Sequence, residues 1–493
     1  MAHRAPTGRR LMPPARPRRG RRPGAPRRTG RPQDLVRRTA YDVMRAVDTR
    51  DAYANLLLPA RLRERGLTGR DAALATELTY GTLRGRGTYD AVLALCSDRE
   101  LRRIDAPLLD VLRLGAHQLL RTRIPPHAAV ATAVELARSV GGPGQAKFAN
   151  AVLRKVATRD LDAWLEIIAP EDELGRLSVV HSHPRWVVSA MRDALGGDRD
   201  EIDALLAADN DRPRVTLLAK PGRATLAELT GAEPAAYSPY AAYLAEGDPA
   251  AIPAVREGRA AVQDEASQLV ALALANTPAA GPDGRWLDVC AGPGGKAGLL
   301  SAFATQRGSS PLTGAHPLPR DVRLLASDVQ PHRAELVRRG VDDRAGVVVA
   351  DGTVPAWRSG TFDRVLLDVP CTGLGALRRR PEARWRRSPR TVAELGPLQR
   401  RLLASALESV RPGGVVAYVT CSPHLAETRV VVDDVLRGRS DVVRLDAPSA
   451  LAEVATGKLA GLGDGPYAQF WPHRHGTDAI FLALLRRLPG PAG

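Results

Sequence analysis

The stretch RWLDVCAGPGGK, residues 285–296, passes from an apolar run into a turn that contains three glycines and a proline. Glycine allows the backbone to approach a ligand closely, and a helix that begins at such a turn directs its first amide groups toward that ligand. The pattern predicts a buried strand, a ligand-binding turn and the start of a helix. Taken alone, the turn could hold NAD, FAD or a phosphate group.

Four further apolar runs follow, and segments of helical length separate them. Such runs are typical of a parallel sheet whose two faces are both covered by helices. The runs are VRLLASDV (322–329), GVVVAD (346–351), FDRVLLDV (362–369) and GGVVAYVTC (413–421). We therefore predict an α/β doubly wound, Rossmann-like domain over residues 261–488, with its ligand at the carboxyl ends of the strands.

The ends of these runs carry acids suited to a nucleoside. Asp328 is placed to accept hydrogen bonds from ribose hydroxyls, and Asp351 to accept one from an adenine amino group. Lys296 is the one basic residue beside the glycines, and the phosphate-loop form GxxxxGK[ST] is absent. A nucleoside without phosphates fits better, so S-adenosylmethionine is the predicted cofactor. The alternative role for each aspartate is helix capping.

Cysteines occupy the ends of the last two runs. LLDVPCTG (366–373) contains Asp368 and Cys371, and YVTCSPHL (418–425) contains Cys421. Carbon 5 of cytosine becomes a nucleophile only after a thiolate adds to carbon 6, so a strand-end cysteine suits cytosine methylation. The alternative for Cys421 is a buried packing residue.

The front of the chain differs in pattern and in charge. Residues 33–155 lack strand-like alternation, and APLLDVLRLGAHQLL (106–120) has the three-and-four apolar spacing of a helix, so an all-α domain is predicted. Residues 1–32 hold eleven arginines and no acid, which predicts a disordered basic arm. The net charge of +17 favours a polyanionic partner, with nucleic acid ahead of an anionic membrane.

Several classes of protein and site are disfavoured. No apolar run approaches the roughly 20 residues that a membrane helix needs, so a soluble, cytoplasmic protein without membrane contact is expected. The four cysteines contain no CxxC pair, which argues against zinc and against a disulfide framework. His181 and His183 have no second cluster of ligands and are interpreted as a polar turn, so no metal is predicted.

Two regions are predicted to contact RNA. Residues 156–260 suggest short helices and one or two strands, interpreted as a linker with a small α+β RNA-binding subdomain. The run GALRRRPEARWRR (375–387) concentrates arginines after Cys371. A solvated face is the usual explanation of a charge run, but this one is unbalanced and includes a tryptophan. The predicted RNA contacts are Arg378, Arg379, Arg380, Arg384 and Trp385.

The motifs also resemble a known family. YGTLRGRGTYD (80–90), IPPHAAVATAVELA (124–137) and FANAVLRKV (148–156) look like the NusB-like RNA-binding domain at the front of bacterial rRNA cytosine methyltransferases. From about residue 33 to residue 487 the chain resembles the Fmu/RsmB branch of the NOL1/NOP2/Sun RNA 5-methylcytosine methyltransferases. VQDEASQ (262–268) and WPHRHGTDAIFLALLRR (471–487) are similar as well.

The resemblance implies a role for each site residue. Cys421 would attack carbon 6, Cys371 would assist release, and Asp368 would hold the edge of the cytosine. The substrate implied is 16S rRNA, and a monomer is expected. Three departures from the family are Ala297 for threonine, Val369 for alanine and TDAIF near the end. The implied cofactor contacts are Cys290, Ala291, Gly292, Pro293, Gly294, Gly295, Lys296, Asp328, Asp351 and Asp368.

Other functions stay open from the sequence. One alternative is a non-catalytic RNA-binding or ribosome assembly factor with a methyltransferase fold, and the intact Cys421, Cys371 and Asp368 count against it. Another is a tRNA or DNA cytosine methyltransferase. In the DNA enzymes the cysteine at the position of Cys371 would attack, and the helical front domain argues against that class.

Overall fold

The structure is a computed structural model that describes Met1, residues 34–305 and residues 322–489. The basic arm predicted for residues 1–32 lies outside the described residues, apart from Met1. Among the residues that are described, none of the helices is long and apolar enough to cross a bilayer.

Residues 34–156 fold as a helical bundle, as the apolar spacing predicts. The first helix is capped by Asp34, whose carboxylate accepts a hydrogen bond from the backbone amide of Arg37 at 3.1 Å. The fifth helix buries Leu108, Val111 and Leu112 in the bundle core. The helices are α1 (Leu35–Arg50), α2 (Ala54–Glu64), α3 (Gly69–Arg84), α4 (Arg86–Cys96), α5 (Ala106–Arg121), α6 (Pro126–Gly141) and α7 (Pro143–Val156).

Residues 161–262 form four helices and then a small antiparallel sheet. The helices are α8 (Leu161–Ile168), α9 (Glu173–Val180), α10 (Arg185–Ala194) and α11 (Arg199–Ala208). The sheet contains β1 (Val215–Ala219), β2 (Ala232–Pro234), β3 (Ala241–Leu244) and β4 (Ala260–Val262), with α12 (Pro253–Arg256) before β4. Its order is β2-β3-β1-β4, so it has four strands where one or two were predicted. Strands of three or four residues are too short to show an alternating pattern.

The rest of the described chain builds a large sheet covered by helices. The strands are β5 (Arg285–Asp288), β6 (Arg323–Asp328), β7 (Gly346–Val349), β8 (Phe362–Asp368), β9 (Val410–Thr420), β10 (Val442–Leu445), β11 (Ala468–Gln469) and β12 (Phe481–Arg487). The helices are α13 (Glu265–Asn276), α14 (Gly295–Thr305), α15 (Pro331–Gly340), α16 (Ala383–Arg386), α17 (Pro389–Ser409), α18 (Arg429–Leu436), α19 (Ala447–Val454) and α20 (Pro472–His475).

The order of this sheet confirms the doubly wound fold class. The order is β10-β12-β9-β8-β5-β6-β7, with β11 beside β12, and the five predicted runs form the mutually parallel strands β5 to β9. Strand β12 inserts antiparallel next to β9, and β10 and β11 pair antiparallel with β12. The sheet is therefore mixed, with an antiparallel edge that the sequence did not predict.

Alternate residues of the central strands enter two cores. Leu366 and Ala417 pack with the helix α13 on one face, whereas Val365 and Val416 pack with α17 on the other. All four side chains have no exposed surface. Because both faces are covered, functional groups on these strands are accessible only where the strands end.

Candidate active site

The carboxyl ends of β5, β6, β8 and β9 meet at one edge of the sheet. In the pairing register, Asp288 of β5 lies beside Ala326 of β6 and Leu366 of β8. Asp368, the last residue of β8, lies beside Val419 of β9. The loops that follow these strands therefore bring together the predicted glycine turn, the aspartates and the two cysteines.

The glycine turn, residues 290–296, is held against the end of β6. Gly292 donates its amide hydrogen to the Oδ2 atom of Asp328 at 3.0 Å. A Cβ atom at Gly292 would lie 2.4 Å from that oxygen, and one at Gly294, where φ is +105°, would lie 3.0 Å from the Cα atom of Val337. The turn needs glycine at both positions because larger residues would clash or be strained there.

Asp288 is a site residue that the sequence reasoning missed. Its side chain is 1% exposed, and its Oδ1 atom makes no hydrogen bond with any described residue. Burial and the neighbouring Asp368 and Asp328 carboxylates, against the opposing charge of Lys296, raise the pKa of this carboxyl to about 8. The available signal was an acid inside the apolar run RWLDVC, since a buried acid without a partner is costly unless it serves a ligand.

Lys296 connects the glycine turn to the end of β8. Its Nζ atom donates to Oδ2 of Asp368 at 2.6 Å. Burial lowers the pKa of Lys296, but the Asp368 carboxylate more than offsets this effect, so the net pKa is raised. The lysine is therefore a fixed cation between the predicted cofactor turn and the cysteines.

The two cysteines at the ends of β8 and β9 form a pair. The sulfur atoms of Cys371 and Cys421 lie 3.4 Å apart, and each residue keeps some exposed surface. A hydrogen bond from the Cys371 thiol lowers the pKa of Cys421, and the charge of Lys296 lowers it further, against the opposing effects of burial and Asp368. The same hydrogen bond, together with burial, raises the pKa of Cys371. The arrangement favours a thiolate on Cys421 and a thiol on Cys371.

The remaining predicted residues occupy different environments. Cys290 packs beside the core, and burial raises the pKa of its thiol, so it is a poor nucleophile. Ala297 is completely buried at the start of α14. Asp351 is exposed and accepts hydrogen bonds from the amide and hydroxyl of Thr353, both at 2.8 Å, which hold its pKa below the usual range.

Comparison with known proteins assigns the family. Residues 276–486 match the family model for 16S rRNA methyltransferase RsmB/F, and residues 34–158 match the NusB family. "Ribosomal RNA small subunit methyltransferase B" of Xylella fastidiosa is 33% identical and covers 84% of this chain and 90% of its own length. The chain belongs to the RsmB/F family of rRNA methyltransferases.

One further relative and one solved structure are similar over nearly the whole chain. A Mycobacterium tuberculosis protein named "Putative methyltransferase Rv1407" is 52% identical over 94% of this chain and 98% of its own length. The crystal structure of PH0851 has a TM-score of 0.74 at 21% identity. The match covers 94% of this chain and 100% of the PH0851 chain. The latter shows a shared fold across both the helical front domain and the large sheet.

The cofactor of the RsmB/F family is S-adenosylmethionine, and the strand ends fit it. The molecule carries a ribose diol and two cationic groups, a sulfonium and an ammonium. Asp288, Asp328, Asp351 and Asp368 all lie close enough to Cys290 to raise the pKa of its thiol, so four acids surround the glycine turn. The uncommitted oxygen of Asp288 suits a cationic hydrogen-bond donor.

The arginine loop, defined as residues 378–387, packs between the domains of this RsmB/F chain. Arg384 has no exposed surface and donates to Asn210 Oδ1 at 2.9 Å and to the Ser182 carbonyl at 3.1 Å. Arg378 is buried as well. The burial of both guanidinium groups, and the bonds of Arg384 within the protein, argue against an RNA contact by Arg378 and Arg384, which stays a prediction.

The other predicted RNA contacts keep some exposed surface. Arg379 binds the buried Asp478, with 3.0 Å between its Nε and Oδ1 of the acid. The guanidinium of Arg380 lies over the ring of Tyr53, 5.0 Å from its centroid, in the helical domain. Trp385 is half-buried. An RNA contact by these three residues stays a prediction.

The histidines between the domains form hydrogen bonds within the protein. His183 has no exposed surface, and its Nδ1 atom lies 2.7 Å from the carbonyl oxygen of His181. His181 in turn lies 3.0 Å from Asp203 through its Nε2 atom. These contacts agree with the interpretation of a polar turn.

Proposed function

We propose that the protein methylates carbon 5 of a cytosine in 16S rRNA through a covalent bond between Cys421 and carbon 6. The observation that carries the proposal is the 3.4 Å sulfur pair in which the thiolate is favoured on Cys421 and the proton on Cys371. A thiolate beside a protonated thiol suits a reaction that needs an attacking group first and a proton acceptor later.

Cys421 performs the first step. Its sulfur donates an electron pair to carbon 6, a carbon–sulfur bond forms, and the ring electrons shift toward carbon 5 and nitrogen 3. Aromaticity is lost, and carbon 5 becomes the nucleophilic end of an enamine. Bound S-adenosylmethionine supplies the methyl group that carbon 5 attacks.

Asp368 is assigned to the Watson–Crick edge of the cytosine. A carboxylate accepts a hydrogen bond from the N4 amino group, which distinguishes cytosine from uracil. Lys296 fixes this carboxylate through the 2.6 Å contact and lies on the side of the cofactor turn. Asp368 therefore orients the ring between the cysteine pair and the methyl donor.

Cys371 is assigned to the last step, in which carbon 5 loses its proton and Cys421 is expelled. In the free protein, the hydrogen bond and charge of Cys421 raise the pKa of Cys371. Once Cys421 is bonded to carbon, its sulfur carries no charge, so both effects disappear. Cys371 then ionises more readily and releases its thiol proton to solvent. The resulting thiolate accepts the carbon 5 proton, the C–H electrons form the carbon 5–carbon 6 double bond, and the carbon–sulfur bond breaks to return the Cys421 thiolate.

The cofactor is assigned to the glycine turn, residues 290–296, with the acids around it. Asp328 and Asp351 are assigned to the ribose and the adenine, and Asp368 lies where cofactor and cytosine meet. Asp288 joins this set because one of its buried oxygens makes no hydrogen bond with a described residue. All these groups lie at the carboxyl ends of parallel strands, where doubly wound sheets bind ligands.

The RNA is assigned to the helical front domain, the basic arm and the exposed parts of the arginine loop. Only 4% of the residues are aromatic, so binding should depend mainly on phosphates and RNA shape. The target cytosine must be unstacked to reach Cys421, because both ring faces take part in the reaction. An rRNA substrate places the protein in the cytoplasm.

Two cysteine variants test the chemistry on one denaturing gel. Cys421→Ala should bind RNA and S-adenosylmethionine but give no product, because the ring is never activated. Cys371→Ala should attack, transfer the methyl group and stall, which gives a slowly migrating protein band that ribonuclease removes. Cys96→Ala is the matched control and should methylate normally without such a band, because Cys96 is a packed residue of α4 in the helical front domain.

The gel also shows what would contradict the proposal. A stalled band in Cys421→Ala and none in Cys371→Ala would make Cys371 the nucleophile. Full activity in Cys421→Ala would mean that this cysteine only packs. Mapping 5-methylcytosine in total RNA from cells with and without the gene tests the substrate: loss of one 16S site supports the proposal, whereas loss of a tRNA site replaces it.

A further inference from the structure

Glu427 is a buried carboxylate between the two loops that carry the cysteine pair. It lies in the short turn Leu425–Glu427 after Cys421 and has no exposed surface. Its Oε1 atom accepts hydrogen bonds from the Thr372 amide at 2.8 Å and from Gln399 Nε2 at 3.2 Å. Its Oε2 atom accepts from Ser422 Oγ at 2.6 Å and from the Thr372 hydroxyl.

We propose that Glu427 is a positioning residue that holds the sulfur atoms of Cys371 and Cys421 in contact. Thr372 directly follows Cys371, and Ser422 directly follows Cys421, so one carboxylate fixes the residue next to each thiol. This role rests on the proposed function, in which both thiols act on one cytosine.

The backbone between the two loops shows why such a link is needed. The ladder between β8 and β9 ends with the hydrogen bond from Val369 N to the Val419 carbonyl at 3.0 Å. The next backbone bond runs from Gly375 N to the Cys421 carbonyl at 2.9 Å. Cys371 lies between these two bonds, beyond the regular ladder, where side chains must set its position.

Glu427 is itself anchored, so its position does not depend on the cysteines. Tyr418 of β9 donates its hydroxyl hydrogen to the Glu427 carbonyl at 2.8 Å. Gln399 of α17, which donates to the carboxylate, also donates to the Pro370 carbonyl at 2.9 Å. The network therefore extends from the sheet and from a covering helix to both cysteine loops.

The negative charge of Glu427 also supports the cysteine pair, because it favours a protonated Cys371. After the Cys421 hydrogen bond, burial and the Cys421 charge, the Glu427 carboxylate is a further cause that raises the pKa of Cys371. A protonated Cys371 is the donor that stabilises the Cys421 thiolate. Among the other charged groups that face Cys421, Asp368 and Asp478 raise the pKa of its thiol, whereas Lys296 lowers it.

The test compares Glu427→Ala with Glu427→Gln. Alanine removes all the hydrogen bonds that the Glu427 carboxylate accepts. Glutamine can keep them: its oxygen accepts from Thr372 N and Gln399, and its amide donates to the Thr372 and Ser422 hydroxyls, which are able to turn. Glu394→Ala, an exposed acid on α17, is the matched control.

Two thiol measurements report the geometry without RNA. Diamide removes the two thiol hydrogens and forms the Cys371–Cys421 disulfide. Glu427→Ala should slow this reaction about tenfold or more, because a displacement of ~1 Å strongly slows a reaction between two groups that the protein holds in place. Glu427→Gln should stay within about threefold of the parent rate. The pH midpoint for iodoacetamide alkylation of Cys421 should rise in Glu427→Ala.

The outcomes separate this role from the proposed chemistry. A parent-like disulfide rate and alkylation midpoint in folded Glu427→Ala would overturn the positioning role. If Glu427→Ala does not fold, the double variant Thr372→Val, Ser422→Ala removes the two hydroxyl hydrogen bonds to Oε2 instead. A parent-like disulfide rate and alkylation midpoint in this double variant would also overturn the positioning role. If the thiol results are as expected but no 5-methylcytosine is found in RNA, the proposed function fails and the positioning role stands.

Discussion

The strand-end edge and the arginine loop adjoin the same cysteine, Cys371, but their charged groups serve different purposes. At the edge, Asp288 is buried with an oxygen that forms no bond to a described residue, and Lys296 binds Asp368 across the site. In the loop, Arg384 is buried and bonded to backbone and side-chain oxygens of the preceding domain. A buried carboxyl with an unbonded oxygen at a ligand-binding edge indicates a ligand. Arg384 is instead held by packing, since both of its terminal nitrogens donate within the protein, although its Nε atom has no partner among the described residues.

The two sets of charged residues differ because different structural constraints fix their positions. Parallel strands in one sheet must end at the same edge, so Asp288, Asp328 and Asp368 converge wherever the rest of the protein lies. The arginine loop has no such constraint, and its environment depends on which domain packs against it. Removing a charge should therefore affect ligand binding at the edge and folding at the loop.

The largest effect on stability is expected at Arg384. Replacing it with alanine leaves the Ser182 carbonyl and Asn210 without their donor and removes the cation beside Asp209, an acid whose pKa burial raises to about 7. Each buried acceptor left without its donor costs about 1–3 kcal/mol, so the urea midpoint should fall sharply.

The control for Arg384→Ala is Arg390→Ala, whose side chain is 87% exposed and pairs with Glu394. It should change the unfolding free energy by about 0–1 kcal/mol. An Arg384→Ala protein with normal stability and weaker RNA binding would show that Arg384 contacts RNA. The arginine loop would then bind a ligand, as the strand-end edge does.

At the strand-end edge, Asp328→Ala should weaken S-adenosylmethionine binding more than Asp351→Ala. Asp328 also holds the glycine turn through Gly292, so its loss disturbs two sets of contacts, and about 2–3 kcal/mol is expected. Asp351 is exposed and should cost about 1 kcal/mol. Calorimetry on both variants measures the affinity for S-adenosylmethionine, and RNA binding should be unchanged in each. Unaltered cofactor affinity in both variants would mean that neither aspartate belongs to the cofactor site.

The pH dependence of cofactor binding should report Asp288. Its raised pKa of about 8 means that it is mostly protonated at pH 7, and a cationic ligand favours its ionised form. Affinity should therefore rise between pH 6 and pH 8, by about tenfold, with proton release on binding. Asp288→Asn should bind with little pH dependence and without that release.

Asp351→Asn is the control for this titration. The Thr353 hydrogen bonds hold the pKa of Asp351 low, so it is ionised throughout the range and its replacement should leave the pH dependence in place. An unchanged pH profile in Asp288→Asn would show that another group titrates.

The smallest effect is expected from the basic arm. Deleting residues 1–32 removes eleven arginines, so RNA affinity should fall about threefold and its salt dependence should flatten. Phosphate contacts position a protein without reading sequence, so the modified cytosine should stay the same. Filter binding at several salt concentrations and 5-methylcytosine mapping measure the two effects; a shifted target would show that the arm reads the RNA.

The site residues predicted from sequence were those at the ends of long apolar runs. The runs for β5 to β9 could be recognised because a strand covered on both faces is apolar throughout. Cys421 directly follows β9, and Cys371 lies three positions after the last residue of β8. Asp288 was missed because it lies within such a run rather than after it. Glu427 was missed because its four donors come from Thr372, Ser422 and Gln399, and only folding brings these together.

The sequence by itself determined the helical front domain, the doubly wound sheet and the edge at which the cysteines lie, because apolar periodicity fixes strands and helices locally and parallel strands share an edge. Tertiary structure alone decided the antiparallel strand β12 beside β9, the burial of Arg384 and the contact between the two sulfur atoms. Each of these depends on a pairing between distant segments, and the free energy of such a pairing comes from neighbours that no local pattern specifies.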